Sequence, residues 1–229
     1  VRRLLQRRFG DGGHGFVLLG RPWRWYKHKD VRHGASGKWR GRPLTSKPLV
    51  DGRYGLGGVA FESDRASPGR AWVATAEEGD VGREAAVFEV SYLGQPGGGS
   101  FVVEINDREV ATVSTDHEQR ESLHREFRTE LGPARIQVES SNDGPLRLFG
   151  VTVETGKPGV VVDSLAISGA RASVLGRFDE AHWKRELRAR DSDLIVLMFG
   201  ANEGHNPWLS LPKYREDFGA ILKFLRGVM

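Results

Sequence analysis

Two stretches near the C-terminal end decide how this chain reads. One is Val160-Val161-Val162-Asp163-Ser164-Leu165-Ala166-Ile167-Ser168-Gly169-Ala170-Arg171, the other Leu194-Ile195-Val196-Leu197-Met198-Phe199-Gly200-Ala201-Asn202-Glu203. Each is an aliphatic, β-branched run that ends at small residues and passes into a polar loop. Continuous runs of this kind are the pattern of strands buried on both faces of a parallel sheet. Between them, Ala170–Leu175 reads as a short helix and Asp179–Arg190 as a longer one with Asp179 as N-cap. Pro212–Leu225 then begins a further helix on a proline. The expected order is β-α-β-α, an α/β domain whose parallel sheet is covered on both sides.

In an open α/β sheet the functional crevice lies outside the carboxyl ends of the strands. Two strands that deliver Gly169 and Asn202 to one edge can aim a backbone N–H and a side-chain amide at a single point. Donors so arranged stabilise the negative oxygen of a tetrahedral intermediate, which is the work of an oxyanion hole. His205, three residues past Asn202, falls on the same edge as a candidate pocket residue.

Upstream the period changes to two. From about Tyr54 to Glu154 short β-rich runs alternate with turn signals, at Gly57–Glu62, Ala71–Ala76, Ala85–Tyr92, Ser100–Ile105, Glu109–Ser114, Ser122–Arg128, Ala134–Glu139 and Leu146–Glu154. Asn106-Asp107 is a hairpin turn, and Gly94-Gln95-Pro96-Gly97-Gly98-Gly99 a looser connection. Short strands in this number without a helix indicate an all-β sandwich of jelly-roll type. Lys157-Pro158-Gly159 marks its end. Ahead of it, Val1, Leu4, Leu5 and Phe9 share one helical face; Gly10-Asp11-Gly12-Gly13 stops that helix, and a strand follows at Gly15–Leu19. The expected organisation is an α/β domain formed by 1–50 and 159–229, interrupted by a sandwich at 51–158.

Composition narrows the class. The chain has 229 residues, 38% hydrophobic and 28% charged, with a mean hydropathy of −0.43. No cysteine is present, which excludes disulfides, zinc-thiolate sites and thiol nucleophiles. No apolar run reaches the length of a membrane span. The net charge is +4, with the basic excess in the first 50 residues. No nucleic-acid motif accompanies it, so a solvated surface is expected and no nucleic-acid partner. The histidines show no His-x-x-x-His spacing, and Glu77, Glu78 and Asp80 read as a solvated acidic loop, so no metal and no cofactor is expected. The chain opens without an initiator methionine and both opens and closes in amphipathic helical patterns, the expectation being an excised or truncated piece.

Trp23, Trp25, Tyr26, His28, His33 and Trp39 lie close together in sequence. They read either as an aromatic platform for sugar rings, with Trp23, Trp25, Tyr26 and Trp39 as its members, or as a loop packing its rings beneath the sandwich.

Ile167-Ser168-Gly169 and Gly200-Ala201-Asn202-Glu203 resemble the second and third conserved blocks of the SGNH (GDSL-type) hydrolases. Arg2–Phe9 with Gly10-Asp11-Gly12-Gly13 is similar to the helix and turn after that family's serine block, so the resemblance covers about 1–50 and 159–229. It implies a flavodoxin-like parallel sheet, a serine nucleophile in a Gly-Asp-Ser segment, and an Asp-x-x-His segment near the C-terminus as base and orienter. Gly169 and Asn202 inherit the oxyanion-hole role. SGNH esterases with an inserted sandwich resemble the peptidoglycan O-acetylesterases, whose insertion is carbohydrate-binding-module-like. The implied reaction is hydrolysis of an O-acetyl ester on peptidoglycan or another acetylated polysaccharide, by acyl transfer to serine and then to water. The implied location is secreted or periplasmic.

The chain departs from that pattern. Gly-Asp-Ser is absent, and Asp11–His14, Asp30–His33 and Asp179–His182, its three Asp-x-x-His matches, all precede Asn202. No nucleophile is therefore assigned, and the chain as it stands is expected to be inactive. Asp179-Glu180-Ala181-His182 also spells a helicase DEAH, but no phosphate-binding Gly-x-x-x-x-Gly-Lys-Ser/Thr loop accompanies it; it reads as a helix start. From a different class, the alternative is a non-catalytic carbohydrate-binding protein that uses the sandwich.

Overall fold

The computed structural model describes residues 1–23, 26–66 and 68–229. Helix α1 (Arg2–Phe9) leads into strand β1 (Asp11–Val17), followed by β2 (Val31–Gly37), β3 (Arg40–Pro43), β4 (Val59–Ser63) and β5 (Gly69–Thr75). Next come β6 (Ala85–Gly94), β7 (Ser100–Ile105), β8 (Arg108–Ser114), β9 (Glu121–Gly132), β10 (Arg135–Ser140) and β11 (Leu146–Glu154). After β12 (Val160–Val161) the chain turns helical, with a 3₁₀ segment at Ala172–Arg177, α2 (Glu180–Arg190) and α3 (Leu211–Arg226).

The strands form two facing sheets. One has the order β2-β5-β10-β7-β8, and the other runs β12-β1-β11-β4-β3 with β6 and β9 joined through β11. β11 is the hub. It carries β6 along one edge and, on the other, β4 at Leu146–Leu148 and then β1 at Val151–Glu154. Alternation explains the thinner strands: Ser100–Ile105 buries Phe101, Val103 and Ile105 and turns the residues between them outward. Asn106 and Asp107 have φ of 51° and 62°, the paired positive values of the tight turn that joins β7 to β8 without splaying them.

β11 is buried along almost its whole length because both faces of its sheet are covered. Val151 and Val153 enter the inter-sheet core with Phe16, Phe88, Phe101 and Ile136. Phe149 points the other way, into Leu44, Tyr54, Leu93 and Phe178 beneath the helical layer. Stacked rings continue that layer outward, from Phe178 to Trp183 at 4.8 Å and from Trp183 to Phe224 at 4.7 Å. Ile221 and Leu225 of α3 pack there with Ala172.

This corrects the expected α/β class. Strand makes up 38% of the chain and helix 18%, and the sheets are mainly antiparallel, not a parallel flavodoxin-like array. The two runs that carried that expectation behave otherwise. Val160–Val161 makes a two-residue parallel pairing with β1 and the run then leaves the sheet. Leu194–Phe199 is extended but belongs to no described strand. Its residues alternate, with Ile195, Leu197 and Phe199 packed under the helices and Leu194, Val196 and Met198 at 75%, 70% and 88% exposure. A continuous apolar run thus serves one buried face only. Moreover β1, β2 and β3 pair with strands of the sandwich.

Glycine makes β1 possible. At Gly13, φ is +126° and a Cβ would come within 2.4 Å of the Glu154 Cα, at the bulge where the β1–β11 register shifts. His14, beside it, is 1% exposed and uses Nε2 toward the Gly82 carbonyl at 3.0 Å. Burial, helped by the nearby Arg2 charge, pushes its pKa down to about 4.

Candidate functional site

The two loops singled out by sequence do meet. The Asn202 side-chain amide donates to the Ala170 carbonyl at 2.7 Å, one residue past Gly169. Glu203 locks the same junction. Its carboxylate accepts the Ala172 N–H at 2.6 Å and the Gly200 N–H at 2.9 Å, one from each loop. Glu203 is 8% exposed. Burial works against its ionised form, but these two N–H groups prevail and hold its pKa below the usual carboxylate range. A carboxylate with two fixed donors is a rigid clasp.

Gly169 sits in this junction at φ +76°, with nothing within 4 Å of the position its Cβ would occupy. The preceding turn is closed by the Ala170 N–H on the Ile167 carbonyl at 3.1 Å. No backbone hydrogen bond takes up the Gly169 N–H among the described residues. An amide carries two N–H donors; Asn202 spends one on Ala170 and keeps the second. His205 stands on the same loop, exposed, with Nδ1 donating to the Ala201 carbonyl at 2.8 Å. The junction of the two loops thus leaves the Gly169 N–H without a backbone partner and the second Asn202 N–H uncommitted among the described residues.

A serine–histidine–carboxylate string exists elsewhere. Ser91 Oγ lies 3.2 Å from His124 Nδ1, and His124 Nε2 lies 3.3 Å from Glu186 Oε1. Ser122 donates to the same Glu186 oxygen, and Glu89 approaches His124 Nδ1 at 3.4 Å. Burial opposes the charge on His124, but the two carboxylates outweigh it and raise its pKa to about 9. A general base must be unprotonated at the working pH. This imidazole is not, so the string is an ionic weld between α2 and the sandwich, which sequence spacing gave no means of finding.

The Asp-x-x-His matches also resolve into structure. Asp179 caps α2 by accepting the His182 N–H at 2.8 Å, and the His182 ring Nε2 bonds the Tyr54 carbonyl. Asp30 pairs with Arg2 and Arg3, and Asp11 accepts the Gly82 N–H at 2.7 Å.

Trp23, Tyr26 and Trp39 all pack against the inter-sheet core. Trp23 and Tyr26 meet edge-to-face at 5.6 Å, and the Tyr26 hydroxyl accepts the Leu18 N–H at 3.1 Å. Burial pushes that phenol up to about 12. Trp25 lies outside the described residues. Trp39 differs from its neighbours in also lining a cavity of about 120 Å³ with Arg21, Ser36, Gly41 and Phe61. Among the described residues, no group of three His, Asp or Glu side chains suits a metal ion, and no helix is long and apolar enough to cross a membrane.

With the clasp and the two-sheet architecture established, comparison with known proteins becomes informative. The chain is similar in fold to a peptidoglycan O-acetylesterase. That structure, described as captured in action at 5 min, is 21% identical and superposes over 100% of this chain with a TM-score of 0.73. The chain spans 58% of the length of that protein. At this identity the likeness shows the fold. A family 32 carbohydrate-binding module from C. perfringens NanJ, solved with galactose, matches 55% of this chain and 93% of its own at 12% identity and a TM-score of 0.33. The CBM22-1-GH10 modules of Clostridium thermocellum xylanase 10B match 71% of this chain and 31% of their own at 11% identity and a TM-score of 0.35. Overlap of that extent carries no argument. No protein-family model and no curated protein sequence matches the chain.

Proposed function

We propose that this chain belongs to a carbohydrate esterase of SGNH type that removes O-acetyl groups from a cell-wall or other polysaccharide, outside the cell or in the periplasm. The observation that supports this most is the Asn202–Ala170 bond, reinforced by Glu203, which joins the loops that carry Gly169 and Asn202. When an ester carbonyl is attacked, its oxygen takes up negative charge. The Gly169 N–H and the second Asn202 N–H stabilise that oxygen without reorganising. The likeness in fold to a peptidoglycan O-acetylesterase supports the substrate class. The reaction also needs a nucleophile and a base, and no motif of this sequence supplies them.

The test is acetate release from O-acetylated peptidoglycan by the full-length natural protein and its Asn202→Ala variant. Loss of one donor should lower kcat by about 10²–10³, with KM little changed. An unaltered kcat in a folded variant, or failure of a fluorophosphonate to label the wild type, overturns the reading. A second reading, carbohydrate binding without catalysis, draws on the Trp39 cavity.

A further inference from the structure

We infer that Trp208 is the stacking platform of the Gly169–Asn202 junction, gripping a pyranose ring of the acetylated glycan so that its ester reaches the two donors. The inference rests on the esterase reading and adds a substrate-binding residue to it, outside the sandwich.

Trp208 is 91% exposed and joins none of the three apolar clusters. The other described tryptophans are occupied. Trp23 and Trp39 pack against the inter-sheet core, Trp183 is stacked between Phe178 and Phe224, and Trp72 carries the Arg135 guanidinium over its ring at 5.1 Å. A tryptophan that packs removes about 150–250 Å² from water, and at Trp208 folding leaves that surface open. The loop nevertheless holds the residue in place. The Gly200 carbonyl accepts the Gly204 N–H at 2.9 Å, the Glu203 carbonyl the Asn206 N–H at 2.9 Å, and the Asn206 carbonyl the Leu209 N–H at 3.1 Å. Asn206 Oδ1 accepts the Trp208 N–H at 3.3 Å, and Pro207 between them has its φ fixed by its ring. One end of the loop is tied by the Gly200 N–H on the Glu203 carboxylate, the other by Ser210, which caps α3. Turns closed in this way keep the Trp208 Cα within about 18 Å of the Asn202 Cα, the span of a short oligosaccharide. A ring positioned before its ligand arrives saves ordering entropy on binding.

The surroundings of the indole decide the ligand class. An indole face is flat, apolar and electron-rich, the complement of the C–H face of a pyranose. The groups beside it are polar and neutral. Asn206 Nδ2 makes no hydrogen bond among the described residues, so its N–H groups are free to donate. His205 donates from Nδ1 to the Ala201 carbonyl, which leaves Nε2 of the neutral ring as an acceptor. From Leu194 to Pro212, Glu203 is the one Asp, Glu, Lys or Arg, and it is spent inside the clasp. A stacking face rimmed by an amide donor and an imidazole acceptor, on a loop without an exposed ion, suits ring hydroxyls and not a charged peptide or a phosphate.

The experiment uses the full-length natural protein. Its Trp208 indole signal in a ¹H–¹⁵N spectrum, assigned by its disappearance in Trp208→Phe, should be open to a soluble paramagnetic chelate and should shift saturably with chitotetraose. Trp208→Ala, at an exposed position where folding loses little, should raise KM for O-acetylated peptidoglycan about tenfold or more, with kcat little changed. The same variant should raise KM for 4-nitrophenyl acetate, which has no sugar ring, far less. Trp208→Tyr, which keeps a stacking face, should recover most of the loss. An indole shielded from the chelate, no shift at tens of millimolar chitotetraose, or equal effects on the two esters would each overturn the assignment. If the wild type cleaves neither ester while the indole shift persists, the esterase reading falls and Trp208 stands as a sugar-binding residue alone.

Discussion

Glu186 on α2 and His124 on β9 face each other across the seam between helix and sandwich, Oε1 to Nε2 at 3.3 Å. Both are placed to be charged. Burial disfavours the ionised forms of each, but Glu89 and Glu186 raise His124 to about 9, while His124 and the Ser122 hydroxyl hold Glu186 below its ordinary range. The stability from His124 is fully present below about 6.5, its unfolded value, and is lost as pH rises through about 9. The part from Glu186 is present above the usual carboxylate range and disappears as pH falls through its depressed value. Urea midpoints measured from pH 5 to 10 should therefore decline between about 6.5 and 9, and His124→Gln should flatten that decline.

Removing one partner exposes the cost of the weld. Glu186→Gln leaves the His124 charge with Glu89 alone and loosens the Leu56 N–H, which Glu186 accepts at 3.2 Å. A broken buried pair costs about 3 kcal/mol, so chemical denaturation should show a loss near that size. A loss below about 1 kcal/mol would contradict the buried-pair description.

Glu203 holds two loops by two backbone donors. Glu203→Ala strands both N–H groups, each worth about 1 kcal/mol or more when left unpaired. The Ala172 and Gly200 amides should then exchange with deuterium at least about tenfold faster, and any activity that depends on Asn202 should fall with them.

Alternation in the extended segment gives a paired test. Val196 is 70% exposed while Leu197 packs under α3 and the 3₁₀ segment. Val196→Lys should change stability by less than about 0.5 kcal/mol, and Leu197→Ala should cost about 2 kcal/mol, both read by thermal or urea unfolding.

Much of the sandwich was legible because its strands have a solvated face. Ser100–Ile105 and Leu146–Glu154 fall where the period-two runs fall, and Asn106-Asp107 turns as its composition dictates. The longer helices were legible from Asp179 as N-cap and from Pro212 in the first turn, while the Ser210 cap of α3 was not read. The parallel sheet was misread because an aliphatic run says nothing about whether its backbone finds a partner, and Leu194–Phe199 covers only one side. β1 was partly hidden by its own composition, since Asp11-Gly12-Gly13-His14-Gly15 lacks the residues that mark strands and enters the sheet through close backbone approach. At the candidate site, Gly169 and Asn202 stood out by their loops. Glu203 and the His124–Glu186 pair act through contacts between segments far apart in sequence, which no local pattern encodes.

The position of β1 bears on how the molecule is made. It precedes the other strands of this chain and sits between β11 and β12, with Gly13 opposite Glu154 and Val161. At about 5–20 residues per second of translation, roughly 140 residues separate Gly13 from Glu154, so β1 waits about 7–28 s for its neighbour. Phe16, Val17, Leu18 and Leu19, all buried at the end, lack the cover of β11 throughout that interval. The closure of this sheet waits for β11 and β12, and β1 is the natural target of a chaperone until then.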